Sequence, residues 1–143
     1  MPDLIMALAG AFGMLACLVV DDSKVMRMVS RRVLEGIGCA VDEAPDGQQA
    51  TAACARAMPD LVLLGSEMPG LSGIDVLRAL RAAPGGEATR IVLCGQDADP
   101  ERVRQALDAG ADEYVTKPFD GQILRAKLAL LGVGAGAPAV RLA

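Results

Sequence analysis

Short apolar runs at Ala16–Val20, Ala40–Glu43, Leu61–Leu64, Arg90–Cys94 and Glu113–Thr116 alternate with longer stretches in which apolar residues recur at helical spacing. Runs of four or five apolar residues suit strands buried on both faces, whereas an i, i+3, i+4 repeat suits a helix buried on one. The alternation therefore predicts βα units and a doubly wound α/β fold: a five-stranded parallel sheet with five helices. Cap residues place the helices. Ser23 is an N-cap candidate for the first, which carries Val25, Met28, Val29 and Val33 inward and ends at Gly36. Asp46 caps a second with Ala50, Ala53, Cys54 and Ala57 inward, and Ser72-Gly73 opens a third with Ile74, Leu77 and Leu80 inward. Asp99-Pro100 is an N-cap followed by a proline at the first helical position, then Val103, Ala106 and Leu107, closed by Gly110. The last helix runs from Asp120 with Leu124, Leu128 and Leu131 on its core face.

At 143 residues the chain is one domain. Met14 is the expected start of the domain proper, with residues 1–13 an extension, either a flexible arm or the product of an upstream start. The domain then spans 14–132, and 133–143, rich in Gly, Ala and Pro, is a frayed tail. The uncharged stretch Leu4 to Val20 is shorter than the ~20 residues of a spanning helix and follows no basic segment, so no membrane span is expected.

With 52% hydrophobic and 22% charged residues and a mean hydropathy of +0.36, disorder is excluded as the main state. The net charge of −4 argues against broad electrostatic contact with DNA or an anionic membrane. The absence of histidine removes Ser-His-Asp and Cys-His catalysis and histidine metal sites. Cys17, Cys39, Cys54 and Cys94 are widely spaced among apolar neighbours, as buried free thiols of a cytoplasmic protein are.

In a doubly wound sheet, sites lie at the carboxyl ends of strands. The first strand ends in Asp21-Asp22, the third in Gly65-Ser66-Glu67-Met68-Pro69-Gly70, the fourth in Gly95-Gln96 and the fifth in Lys117-Pro118-Phe119. From about Ala16 to Leu131 the chain resembles the receiver domain of two-component response regulators, in particular the stand-alone chemotaxis type. Four fragments carry the resemblance, in order: Leu18-Val19-Val20-Asp21-Asp22-Ser23, Met68-Pro69-Gly70-Leu71-Ser72-Gly73, Ala109-Gly110-Ala111-Asp112-Glu113-Tyr114 and Thr116-Lys117-Pro118-Phe119.

The resemblance implies a flavodoxin-like strand order 2-1-3-4-5 and a chemistry of phosphoryl transfer from a kinase histidine to an aspartate ending the third strand. It implies that Asp21 and Asp22 hold Mg²⁺, with the backbone carbonyl of Glu67 as a third ligand, since a hard cation takes oxygen donors. It further implies that Lys117 pairs with the acceptor through a cis Lys117-Pro118 loop, and that Tyr114 is the aromatic that swings between exposed and buried positions.

Two positions depart from the family pattern. Gly65 stands where the acceptor aspartate belongs, and Gly95 where a switch Ser or Thr would hydrogen-bond the phosphoryl group. Ser66, one residue further along the strand end, is expected to point the opposite way. With one carboxylate fewer in the pocket, Mg²⁺ is expected to bind weakly.

The expected function is that of a single-domain, non-enzymatic pseudo-receiver that signals by protein–protein binding in the cytoplasm. Its expected partners are a histidine kinase, a phosphotransfer protein or a downstream signalling protein, with no DNA and no membrane. Lys24, Arg27 and Arg31 form a basic stripe that is either a partner surface or a solvated face. One alternative is a module binding a nucleotide messenger, gripped by Arg102, Arg104 and Arg125. Another is a receiver whose acceptor was removed artificially.

Overall fold

The computed structural model describes residues 14–133; the expected extension over 1–13 and the tail from 134 lie outside the described residues. Strands β1 (Ala16–Val20), β2 (Ala40–Ala44), β3 (Leu61–Gly65), β4 (Arg90–Gly95) and β5 (Glu113–Thr116) form one sheet. They alternate with helices α1 (Lys24–Gly36), α2 (Gly47–Arg56), α3 (Gly73–Ala82), α4 (Pro100–Asp108) and α5 (Gly121–Leu130). The strand order is β2-β1-β3-β4-β5 and every pairing is parallel, as the resemblance implied. The strands β3 and β4 each run one residue further than the apolar pattern suggests, so Gly65 and Gly95 are their last residues.

Side-chain alternation divides the core into two layers. Cys17, Val19, Leu61, Leu63, Val92, Cys94 and Val115 pack against α1 and α5, whereas Leu18, Val20, Val62, Leu64, Ile91, Leu93 and Tyr114 pack against α2, α3 and α4. This parity decides which face each residue at a strand end addresses.

Ser23, Asp46, Ser72, Asp99 and Asp120 all accept a backbone N–H at their helix starts, as their sequence positions predict. The inner face of α1 differs from expectation. Val25 and Met28 are 61% and 47% exposed, and the buried residues are Ser30, Val33 and Leu34, with Met26 and Ile37 packed alongside. The polar Ser30 on the inner stripe hides the true phase from a count of apolar residues. That helix includes Gly36 and gives way at Gly38, whose φ of +92° needs a glycine. On α4 only Ala106 is fully buried and Leu107 is 46% exposed. On α3 the buried Val76 joins the expected Leu77 and Leu80. Val133, assigned to the tail by sequence, is 4% exposed and belongs to the core.

Arg81, at the end of α3, fastens the far edge. Its guanidinium donates to the carbonyls of Gly86, Thr89 and Gly110 and to the Asp112 carboxylate. Asp112 also accepts the N–H of Ile91.

Candidate functional site

Three of the sequence-predicted residues come together at the carboxyl end of the sheet. Asp21 follows β1 and is 5% exposed. Lys117 follows β5, and its Nζ lies 2.6 Å from Asp21 Oδ2. Asp21 Oδ1 accepts the backbone N–H of Ser23 at 2.9 Å, so each carboxylate oxygen already has a donor. Gly65 closes the group: a Cβ built there would lie 3.2 Å from Asp21 Oδ2 and 3.4 Å from the carbonyl oxygen of Val20. Any side chain at 65 would therefore enter the pocket beside Asp21 and Lys117, the geometry expected of an acceptor position. Lys117-Pro118 is cis, as the resemblance implied.

Asp22 is exposed. Glu67, Ser66 and Tyr114 line an open cavity of about 390 Å³, together with Asp99, Glu101 and Arg102. Ser66 Oγ lies 3.1 Å from the place of a Cβ at Gly95, on the Tyr114 side of the sheet, so it faces away from the acceptor position as alternation predicts. The Cys94 thiol is near both Lys117 and Asp21, but burial pushes it up to about 12, which leaves it a protonated, inert group.

The residues present fit Mg²⁺ poorly. An ammonium already neutralises Asp21, position 65 contributes no oxygen from a side chain, and Asp22 is turned to solvent. Among the described residues no cluster of three or more acidic, Cys or His side chains could hold a metal ion. The pocket carries its own cation on Lys117.

The basic stripe of α1 proves to be largely internal. Arg27 donates from Nε to Glu43 and from Nη1 to the Asp21 carbonyl, at 3.0 and 2.7 Å. Arg31 bonds the other oxygen of Glu43 at 2.7 Å and also pairs with Glu35. Burial alone would raise the Glu43 carboxyl, but the hydrogen bonds from Arg31 and Arg27 outweigh it and hold Glu43 below its ordinary value. This clamp joins α1 to β2 and braces the main chain at Asp21. A signal for it existed in the i, i+4 spacing of Arg27 and Arg31, but its acidic partner lies on another strand.

A carboxylate with a lowered value stabilises the fold above its unfolded value of about 4.5, and that contribution is lost as the pH falls through the folded value. Glu43→Gln is therefore expected to lower stability by about 1 kcal/mol at neutral pH, a typical sum for two partly exposed ion pairs. The difference should shrink below about pH 4 in urea titrations; a deficit constant with pH would refute the charge assignment.

The three candidate messenger-binding arginines do not converge. Arg104 is paired with Glu101 and Asp108 on its own helix, Arg102 faces the open cavity, and Arg125 approaches Gly36.

A five-stranded 2-1-3-4-5 sheet with Asp21, Lys117 and a cis peptide at its carboxyl end defines a receiver architecture. The family described as the response regulator receiver domain matches residues 17–129. This chain belongs to that family. It is 42% identical over 114 residues to the response regulator MprA of Mycolicibacterium vanbaalenii, covering 80% of this chain and 48% of that protein. It is 39% identical to the transcriptional regulatory protein CseB of Streptomyces avermitilis, covering 78% of this chain and 46% of that one. Among solved structures it superposes on the chemotaxis response regulator CheY4 of Vibrio cholerae with a TM-score of 0.79 and 28% identity, covering 82% of this chain and 98% of that one.

The chain thus spans about half the length of the curated relatives it matches. These relatives correct one expectation, the exclusion of DNA from the partners. CseB is named a transcriptional regulator, and transcription is controlled at DNA. The net negative charge describes only the surface of the present 143 residues, so it could not exclude a DNA-directed output for a member of this family. No described helix is long and apolar enough to cross a membrane.

Proposed function

We propose that this receiver is not phosphorylated and works in two-component signalling through protein contacts, without catalytic activity of its own. The observation that carries the reading is Gly65, which leaves the pocket with no nucleophile where a side chain would face Asp21 and Lys117. An acyl phosphate needs a carboxylate oxygen, and glycine has none to offer. Gly95 supports the same reading, because it supplies no hydroxyl to grip a phosphoryl group. The four buried free cysteines accord with a reducing, cytoplasmic setting. A nucleotide messenger is disfavoured, because the open cavity sets Glu67, Asp99 and Glu101 against the single Arg102 and would repel phosphates.

Mg²⁺ is expected to bind weakly, since Lys117 already provides the counter-charge. A ligand stabilises a fold only as its concentration exceeds its Kd, so millimolar Mg²⁺, with or without beryllofluoride as a phosphoryl mimic, should leave the melting temperature unchanged within about 1 °C. A rise of several degrees that disappears in Asp22→Ala would show a working metal site and overturn the reading.

A further inference from the structure

The open cavity lies between the β3–α3 loop, which brings Ser66 and Glu67, and the start of α4, which brings Asp99, Glu101 and Arg102. Its floor is apolar: Leu93 and Tyr114 are 1% and 7% exposed, and Ile74 packs against the same core layer. The Tyr114 hydroxyl is already engaged, donating to the Asp97 carbonyl at 2.7 Å in the space a Cβ at Gly95 would fill. What enters the cavity therefore meets aliphatic and aromatic carbon below and charged groups at the rim. At about 390 Å³ the space is at the small end of ligand-sized clefts.

The rim charges do not cancel. Glu101 is matched, since both its oxygens accept from Arg104 on its own helix. Asp99 caps α4 with Oδ1, which accepts the Glu101 N–H at 3.1 Å, and its other oxygen has no donor among the described residues. The Glu67 carboxylate and the Arg102 guanidinium are exposed and form no hydrogen bond or ion pair among the described residues. Three carboxylates set against the Arg102 and Arg104 guanidiniums leave at least one negative charge over, because Arg104 also serves Asp108.

We infer that this cavity is a docking site for an arginine side chain of a partner protein, with its stem on the apolar floor and its guanidinium bonded to Glu67 on one wall and Asp99 on the other. Two carboxylates carried by separate elements suit a planar fork with five donors better than a compact ammonium. The stem covers apolar carbon while the charge stays at the rim. A partner surface closing over the exposed rim also removes water from these charge-assisted bonds, which a free cation left half in solvent cannot do. The inference rests on the reading of a receiver that signals through protein contacts, and names the face used and the chemistry recognised.

The chain supplies its own competitor. Arg102 carries the same guanidinium at the same rim, so its removal makes the cavity more negative, whereas neutralising Glu67 or Asp99 makes it less so. A cavity that merely loosened on mutation would lose binding in all three variants. Opposite signs therefore identify charge as the cause.

The test titrates the isotope-labelled full chain with the peptide acetyl-Ala-Ala-Arg-Ala-Ala-amide and follows backbone amide shifts by NMR. The same peptide with citrulline, the neutral isostere of arginine, and with lysine serve as comparisons. The amides of Ser66, Glu67, Asp99 and Arg102 should shift together and saturate in the millimolar range, as befits one charge-assisted contact with little buried area. The citrulline and lysine peptides should each bind several-fold more weakly, the first for want of charge and the second for want of the fork.

Glu67→Gln and Asp99→Asn should each weaken the arginine peptide several-fold, the second while keeping an N-cap oxygen, and Arg102→Gln should tighten it several-fold. Equal binding of the citrulline peptide would overturn the site, as would saturating shifts that survive Glu67→Gln or the absence of saturable shifts at these amides. The comparison of arginine with citrulline is made on the wild type, so it decides even if a variant fails to fold. Phosphoryl labelling of the wild type would defeat the functional reading but alter none of these titrations, so the two can fail separately.

Discussion

Incubation with acetyl phosphate or with a phosphorylated histidine kinase is expected to leave no acid-stable, alkali-labile phosphoryl group on this chain. Every other nucleophile near the acceptor position is accounted for. Asp21 is held by the Lys117 ammonium and the Ser23 N–H, Ser66 faces the Tyr114 side of the sheet, and the Cys94 thiol is buried and protonated. Gly65→Asp should restore labelling from a baseline of none, because its Cβ would enter 3.2 Å from Asp21 Oδ2, a contact that needs a shift of only a few tenths of an ångström. Two carboxylates about 5 Å apart repel by roughly 3 kcal/mol at an effective dielectric near 20, so the variant should also gain a melting temperature that rises with Mg²⁺. An alkali-labile phosphoryl group on the wild type would falsify the proposed function. A Gly65→Asp protein that folds but takes no label would show that the pocket lacks more than its nucleophile.

Lys117→Met should be among the most destabilising single changes in the protein. The Lys117–Asp21 pair is 9% and 6% exposed, and removal of the ammonium leaves a buried carboxylate with one backbone N–H. Removing one partner of such a pair typically costs about 3–5 kcal/mol, most of it the penalty of the stranded charge. Urea denaturation should show that loss at neutral pH, and adding Asp21→Asn in the same chain should recover most of it. A single variant within about 1 kcal/mol of wild type would mean that the pair is solvated and contributes as a surface bridge does.

The fold was legible because the three inner strands, β1, β3 and β4, are buried on both faces and so wrote themselves as short apolar runs between capped helices, while the half-polar edge strands β2 and β5 were placed by the alternation. Helix phase was less legible. Ser30 is 3% exposed on the inner stripe of α1 while Val25 faces solvent, and a reading that equates polar with outward turns that helix too far. At the site, the motifs Met68-Pro69 and Lys117-Pro118 singled out Gly65 and Lys117, and the fold sets both beside Asp21. What spacing could not supply were choices among distant partners: that Lys117 would take Asp21, that Glu43 on β2 would absorb both Arg27 and Arg31, and that Arg81 would gather three carbonyls from two loops. Nor could it show that Gly95 was an occupied space, since that depends on the depth to which Tyr114 enters.

The end of β3 is held by main chain alone. Ser66 donates to the Cys94 carbonyl, Gly73 donates to the Ser66 carbonyl, and a Cβ on Gly73 would lie 2.3 Å from the Gly65 carbonyl oxygen, so α3 rests directly on the strand's backbone. Nothing in that joint consults the side chain at 65. The main-chain joint is thus indifferent to the residue at 65, although an acid there meets the Asp21 carboxylate, and aspartate and glycine codons can differ by one base. The proposed lack of an acceptor is therefore separable from the fold: one base change exchanges the two residues and leaves the joint between β3 and α3 as it is.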